Sequence, residues 1–237
     1  MTVLVHSSLS SLGWVSGSEV AVIQALIDVV TEKGTIIMPT HTNISNPDDW
    51  QNPPVPNSWI NTIKETMPAY DPKITPTRGM GRISEAFRKF PNVIRSSHPQ
   101  CSFAAWGKNK DEIIKKHSLD YSLGENSPLA RIYDLDGYVL LLGVEYDRNT
   151  SYHLSEYRAD IRDIVKSEGS IIENGERVWK VYTDIDIESD YFDKIGQEFE
   201  RQHKINIGLV GSAKSRLFKQ RKAVDFAEKW FNINKGV

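Results

Sequence analysis

Apolar residues in the first forty positions follow two different spacings. Val3-Leu4-Val5 is a short unbroken burst, whereas Val20, Ile23, Ile27 and Val30 recur three and four residues apart. The burst predicts a buried strand and the second spacing a helix with one apolar face. Ser16 and Glu19 stand at capping-box spacing before that helix, and Gly34 suits its end. Thr35-Ile36-Ile37-Met38 predicts a second strand, closed by Pro39. Strand, helix and strand in this order predict a βαβ unit with parallel strands and a right-handed crossover. Ligands of such sheets sit beyond the carboxyl ends of the strands. In this chain those ends are His6-Ser7-Ser8, inside the serine-crowded stretch VLVHSSLSSLGWVSGSE, and Pro39-Thr40-His41.

Residues 40–77 are rich in Pro, Asn and Asp, which predicts loops around a short helix near 57–66. SEAFRKF then predicts a helix, CSFAAWG a strand and residues 109–117 a helical stretch. Tyr138-Val139-Leu140-Leu141-Leu142-Gly143 is a near-continuous apolar run, the pattern of a central strand buried on both faces. Asn174-Gly175, between two β-rich arms, predicts a hairpin over 170–182. Between 184 and 200 seven acids face one base, Lys194; this reads either as a solvated helix face or as a negative surface that draws in a polycation. Ala223, Ala227, Trp230 and Phe231 share one face of a terminal amphipathic helix. The expected fold is α/β, a mixed and largely parallel central sheet flanked by helices with an added hairpin near 170–182. Neither a repeat nor a linker interrupts it, so residues 1–237 are expected to form a single domain.

Composition narrows the classes of function. The 237 residues are 39% apolar and 25% charged, ordinary for a globular chain with a sizeable core. The formal charge of -2 and the lack of a long Lys/Arg block exclude the broad basic face that nucleic-acid binding demands. No 18-residue apolar run and no signal-peptide pattern occur, and the single cysteine, Cys101, rules out an internal disulfide framework. A cytoplasmic protein with no membrane contact is expected.

Candidate chemistry is confined to a few segments. NTSYHLSEYR follows the most apolar strand, and His153 in it is the best candidate base of the chain. An imidazole takes up a proton near neutrality, and a carboxylate three residues on, Glu156, can orient it and stabilise its cation. Spacing alone favours an ordinary pair on a solvent face, where i,i+3 His and Glu are common; the position beyond a strand end strengthens the case for a base. Thr77-Arg78-Gly79-Met80-Gly81-Arg82 is a glycine turn leading into a helix, where free amides and two arginines suit a phosphate, although an ordinary helix entry has the same pattern. His98 and Cys101 in RSSHPQCSF suggest a thiol nucleophile, but a cysteine before an apolar strand is usually buried and inert. The six histidines and one cysteine form no zinc-ligand spacing.

Three long segments, HSSLSSLG, TRGMGRISEAFRKFPNVIRSSHPQCSFAAWG and GENSPLARIYDLDGYVLLLGVEYDRNTSYHLSEYR, occur in an order and separation that resemble the aminoglycoside 3-N-acetyltransferase family. The resemblance runs from Val3 to the RLF and VDFAEKWF stretches. It implies transfer of acetyl from acetyl-coenzyme A to an amine, classically the 3-amino group of a 2-deoxystreptamine antibiotic, and with it a role in antibiotic resistance. It further implies that His6, Ser7, Ser8 and Leu9 line the coenzyme path, that Arg78, Gly79 and Gly81 meet its phosphates, and that His98, Ser102 and Phe103 edge the same channel. His153 carries over as general base with Glu156 beside it and Thr150 near the thioester; no metal is implied.

Family members usually begin some thirty residues before the first strand, including a helix for which this sequence has no counterpart. The expected partners are a small-molecule amine and acetyl-coenzyme A, and a homodimer is compatible with the sequence. Asp48, Asp49, Trp50 and Trp59 are candidates to grip a polyamine sugar. Rival readings are transfer to a different small amine, hydrolysis of an acyl-coenzyme A, and an inactive coenzyme-binding module.

Overall fold

The computed structural model describes residues 1–42, 44–51 and 53–234. In chain order its elements are β1 (Thr2–Ser7), α1 (Ser18–Val30), β2 (Thr35–Pro39), α2 (Ile60–Thr66), α3 (Gly81–Phe87), β3 (Ile94–Arg95), β4 (Phe103–Gly107), α4 (Lys110–Ile114), α5 (Pro128–Asp134), β5 (Tyr138–Leu142), α6 (Ser151–Ala159), β6 (Ile164–Glu173), β7 (Glu176–Ile185), α7 (Phe192–Gln202), β8 (Asn206–Val210), β9 (Ala213–Lys219) and α8 (Gln220–Ile233).

Among the described residues the main sheet has seven strands in the order β3-β4-β2-β1-β5-β9-β8. Its middle is parallel: β1 pairs with β2, Val3 opposite Ile36, and with β5, Val5 opposite Leu140. The flanks, β4 with β3 on one side and β9 with β8 on the other, pair antiparallel. The sheet is therefore mixed, as expected, with its parallel strands where the apolar runs are longest.

Alternation along β1 sends its side chains to opposite faces. Val3 and Val5 pack with Ile36, Met38, Ile23 of α1, and Ile83 and Phe87 of α3. Leu4 and Ile37 pack on the other face with Phe103, Leu129, Leu154 and Val224. Val139 and Leu141 of β5 share a third cluster with Phe192, Ile195 and Phe199 of α7 and with the predicted face of α8, Ala223, Ala227, Trp230 and Phe231. Burying each large side chain contributes about 1.5–3 kcal/mol, and α6 is anchored in two of these clusters through Leu154, Tyr152 and Ala159.

The hairpin forms around Asn174-Gly175, both at positive φ as a two-residue turn requires. It spans β6 and β7, from Ile164 opposite Ile185 to Glu173 opposite Glu176, longer than 170–182. It is tied to the body through α2 and the chain after it: Tyr70 N donates to Ser170 O at 2.8 Å and Arg177 Nε to Met67 O at 2.7 Å.

Two local expectations are corrected. The Ser16–Glu19 capping box does not form; Gly17, at φ 85°, is the N-cap and makes no side-chain cap. Glu19 instead accepts from Ser18 Oγ at 2.6 Å and pairs with Arg82 of α3 at 2.9 Å. Helix α1 ends at Val30 with Thr31 as C-cap, whose amide donates to Ile27 O, not at Gly34. Gly34 answers a different need, since a Cβ there would lie 2.5 Å from Met1 O and from the Val30 side chain.

The acidic run is largely consumed internally. Asp184 is buried under Tyr157, Asp193 accepts from Asp147 N, Glu198 from the Trp230 indole, and Glu200 from Arg216 and Tyr146. Asp186, Glu188 and Asp190 remain exposed.

Candidate active site

The parallel strands β2, β1 and β5 end on the same edge of the sheet, and the turns that follow them open on a cavity of about 1130 Å³. Its floor includes His6, Ser7 and Ser8 after β1, Pro39 and His41 after β2, and Gly143 after β5; Gly79 to Arg82 and the start of α6 form its walls. The placement follows from topology, because only parallel neighbours bring several strand ends to one edge. The serine turn holds itself: Ser8 N donates to Leu142 O at 3.0 Å, locking the turn onto β5, and Ser11 Oγ donates to Ser8 Oγ at 2.8 Å. Trp14, 94% exposed, stands at the rim.

His153 enters from the first turn of α6 and packs against the Phe192 ring, with centroids 4.8 Å apart. The helical spacing of three residues puts Glu156 on the same face, and His153 Nδ1 lies 2.6 Å from Glu156 Oε2. This bond fixes the proton on Nδ1 and leaves the Nε2 lone pair for the cavity that His153 lines. Glu156 is fully buried, yet its second oxygen is not idle: Arg162 Nε donates to Oε1 at 2.7 Å, and Arg162 Nη1 reaches Glu188 at 2.6 Å. The four side chains form a line from cavity to surface.

Thr150 takes the N-cap position of α6 without a side-chain cap bond, so its hydroxyl is not spent on the helix; it too lines the cavity. His6 and His41 are of a different kind. Burial, with the neighbouring charge of His153 adding to it, pulls each imidazole down to about 3, so both are neutral across the ordinary pH range. The Nε2 atom of each is buried without a hydrogen-bond partner.

Of the residues singled out in the sequence, His6, Ser7, Ser8, Leu9, Gly79, Gly81, Thr150 and His153 line this cavity, with Glu156 directly behind. Arg78, His98, Ser102 and Phe103 are not among its described lining residues. Arg78 is exposed, and its amide donates to His41 O; its neighbour Arg82 lines the cavity instead. His98 belongs to a second cavity of about 440 Å³, stacked on His117 with centroids 4.9 Å apart. Ser102 is buried in a network with Thr40 and Arg95, and Phe103 lies fully buried on β4. Antiparallel pairing sets the start of β4 beside the end of β2, Phe103 opposite Pro39, but the Phe103 ring turns to the Leu4–Ile37 face, edge-on to His41, and the Ser102 hydroxyl is spent on Thr40 and Arg95. Asp48, Asp49, Trp50 and Trp59 also lie off the described lining, and Asp48 faces Lys64 at 3.8 Å.

Cys101 is buried and free, and burial pushes its thiol up to about 12, the opposite of an activated nucleophile. Among the described residues no group of three or more His, Cys, Asp or Glu is placed to hold a metal ion, and no helix is long and apolar enough to cross a membrane. Sequence reasoning missed Arg162, which carries no local signal, and made no use of His41 beyond its strand-end position.

A sequence profile described as aminoglycoside 3-N-acetyltransferase matches residues 4–232. The SPbeta prophage-derived aminoglycoside N(3')-acetyltransferase-like protein YokD of Bacillus subtilis is 54% identical over 236 residues, 99% of this chain and 87% of the relative. Its crystal structure superposes with a TM-score of 0.97 over the same shares of the two chains. Aminoglycoside N(3)-acetyltransferase IX of Micromonospora chalcea is 37% identical, over 96% of this chain and 86% of its own length. A structure of AAC-IIIb as a binary complex with CoASH matches at 29% identity with a TM-score of 0.89, covering 100% of this chain and 91% of that one. Fold, profile and relatives agree, and the chain belongs to the aminoglycoside 3-N-acetyltransferase family of acetyl-coenzyme A-dependent N-acetyltransferases.

Proposed function

We propose that the large cavity carries acetyl transfer from acetyl-coenzyme A to an amino group of an aminoglycoside-like acceptor, classically the 3-amino group of a 2-deoxystreptamine, with His153 as general base. The observation that carries the reading is the His153–Glu156 pair at 2.6 Å, its free nitrogen toward a cavity large enough for two substrates. The acceptor amine arrives as ammonium and cannot attack until it loses a proton. His153 Nε2 takes that proton, and the Glu156 carboxylate stabilises the imidazolium that results. The amine lone pair then forms the C–N bond at the thioester carbon, and the carbonyl oxygen becomes an oxyanion for which the Thr150 hydroxyl is a donor. Collapse breaks the C–S bond, the departing thiolate takes the proton held by the imidazolium, and the proton left on the attacking nitrogen passes to the regenerated His153 Nε2 and from there to solvent, which leaves a neutral amide. General base catalysis of this kind supplies about 10²- to 10⁴-fold.

His6, Ser7, Ser8 and Leu9 are proposed to line the donor's path, with Gly79 and Gly81 at its phosphate end. Arg82 takes the cavity position there and Arg78 the rim. His98, Ser102 and Phe103 act from the supporting layer. We propose that residues 1–237 form one acetyltransferase domain, a reading supported by the strand residues of the main sheet that enter all three apolar clusters.

One observation favours a second reading of the acceptor, a small amine with few charges. The two carboxylates lining the cavity are each held by an arginine, Glu145 by Arg216 at 2.8 Å and Asp147 by Arg148 at 2.9 Å, and Arg82 and Arg148 line the same space. A polycation would meet as many cations as carboxylates among the described lining residues, and both carboxylates are already paired. Thiol release from acetyl-coenzyme A, measured with aminoglycosides, with small mono-amines and with no acceptor, separates the alternatives. Aminoglycoside-dependent release supports the first reading, and mono-amine-dependent release the second. Acceptor-independent release indicates a thioesterase, and coenzyme binding without release an inactive module.

A further inference from the structure

Glu156 is a fully buried carboxylate with two claimants. Its Oε2 faces His153 Nδ1 at 2.6 Å and its Oε1 accepts from Arg162 Nε at 2.7 Å and, more distantly, from the amide of Glu188 at 3.4 Å. Arg162 lies three residues beyond the end of α6, and its other branch is clamped by the Glu188 carboxylate at 2.6 Å. Burial works against the guanidinium's charge, but the bonds and charges of Glu156 and Glu188 outweigh it and raise Arg162 above its ordinary value. The cation is therefore permanent.

A buried carboxylate facing an imidazole alone has a simple effect: it stabilises the imidazolium and makes the histidine too ready to stay protonated. A base in that state near neutral pH has no lone pair to offer. A permanent cation on the far oxygen shares the carboxylate's charge and repels the imidazolium, while leaving the orienting bond to Nδ1 intact. We propose that Arg162 is a positioning residue for the transfer, which holds the Glu156 carboxylate so that it orients His153 without trapping it in the protonated form. The inference rests on the reading of His153 as base.

Other charged or titratable groups face His153 from the elements around it. His6 after β1 and His41 after β2 are buried and neutral, so they add no countercharge. Glu145, Asp147 and Arg148 before α6 and Arg82 on α3 line the cavity; the two acids are paired with Arg216 and Arg148, and Arg82 with Glu19. Phe192 covers the ring from α7 and carries no charge. Arg162 is thus the cation bonded directly to the carboxylate that orients the base.

The test is the pH profile of kcat/KM together with an NMR titration of the His153 ring nitrogens, the latter needing neither donor nor acceptor. In Arg162→Gln the acid limb and the His153 midpoint are both expected to move to higher pH, with roughly tenfold lost in rate on the acid side. The rate is expected to recover on the alkaline plateau. Glu188→Gln removes an anion and commits the guanidinium wholly to Glu156, so both midpoints are expected to move the opposite way, by a smaller amount. That opposite sign is not produced by a merely loosened site, and the Glu188 variant stands by itself should the Arg162 variant fail to fold. Unmoved midpoints in the folded variants, or a shift of the same sign in both, overturn the inference. A folded His153→Ala protein that keeps its turnover overturns instead the reading of His153 as base, while the NMR shifts still decide whether Arg162 sets the ring's basicity.

Discussion

Two histidine-lined cavities in this molecule use the same side chain for opposite ends. In the large one, His153 has a buried carboxylate on Nδ1 and open space at its other nitrogen. In the smaller one, His98 accepts from the amides of Gln100 and Cys101 and bonds Leu119 O, while His117 bonds Ser96 and Ser122. Both ring nitrogens of each are used, and burial pulls the two rings down to about 4 and about 3. The contrast teaches that an imidazole is equipped to act as a base where the fold provides for its cation and leaves one nitrogen free. Where neither condition is met, it is a polar piece of the core.

The sharpest way to break this comparison is to exchange the effects of the two sites. His153→Ala is expected to lower turnover by about two to four orders of magnitude while coenzyme binding, measured by calorimetry, survives. Near-normal turnover in the folded variant removes His153 from the chemistry. His98→Ala should do the reverse. It strands two backbone amides and opens the stack on His117, so a loss of about 1–3 kcal/mol in urea unfolding is expected, with turnover of the folded protein largely kept.

Acid sharpens the same contrast. The folded values of His6, His41, His98 and His117 all lie below the ordinary 6.5 because burial disfavours their cations. Between the folded and unfolded values the unfolded chain binds more protons, so stability rises with pH there. The contribution of these rings is complete above about pH 6.5 and is lost progressively as pH falls toward 4 and 3. Melting temperatures across this window should fall with acid, and less steeply in His98→Gln or His117→Gln. An unchanged slope in both variants removes this pair as its source.

Arg82→Ala is expected to raise the apparent acetyl-coenzyme A Michaelis constant several-fold, roughly as a lost uniform-binding contact does, with turnover little changed. Arg78→Ala should follow in the same direction with a smaller effect, since its side chain stands outside the cavity lining. Equal affinities in both variants take the glycine turn out of the donor site. Cys101→Ser is expected to have the smallest effect of all, leaving transfer intact. Loss of activity in the folded serine variant would point to a covalent acyl-enzyme.

What the chain determined by itself is what its local periods encode. The order β1, α1, β2 follows from a burst and a three-four spacing, β5 from an apolar run, the hairpin from Asn174-Gly175, and the pairing of His153 with Glu156 from three residues of helical separation. Each depends on neighbours within a turn or a strand, where backbone geometry converts spacing directly into contact. Only the tertiary structure decided the rest. Packing turned the Phe103 ring onto the Leu4–Ile37 face and spent the Ser102 hydroxyl on Thr40 and Arg95, and His98 lines a separate cavity. A loop past α6 brought Arg162 onto Glu156, and the chain after β7 delivered Glu188, 32 residues from Glu156. No spacing rule reaches across such separations. The partner of a buried charge is selected by which segments the packed core brings together, through the cost of leaving that charge unpaired.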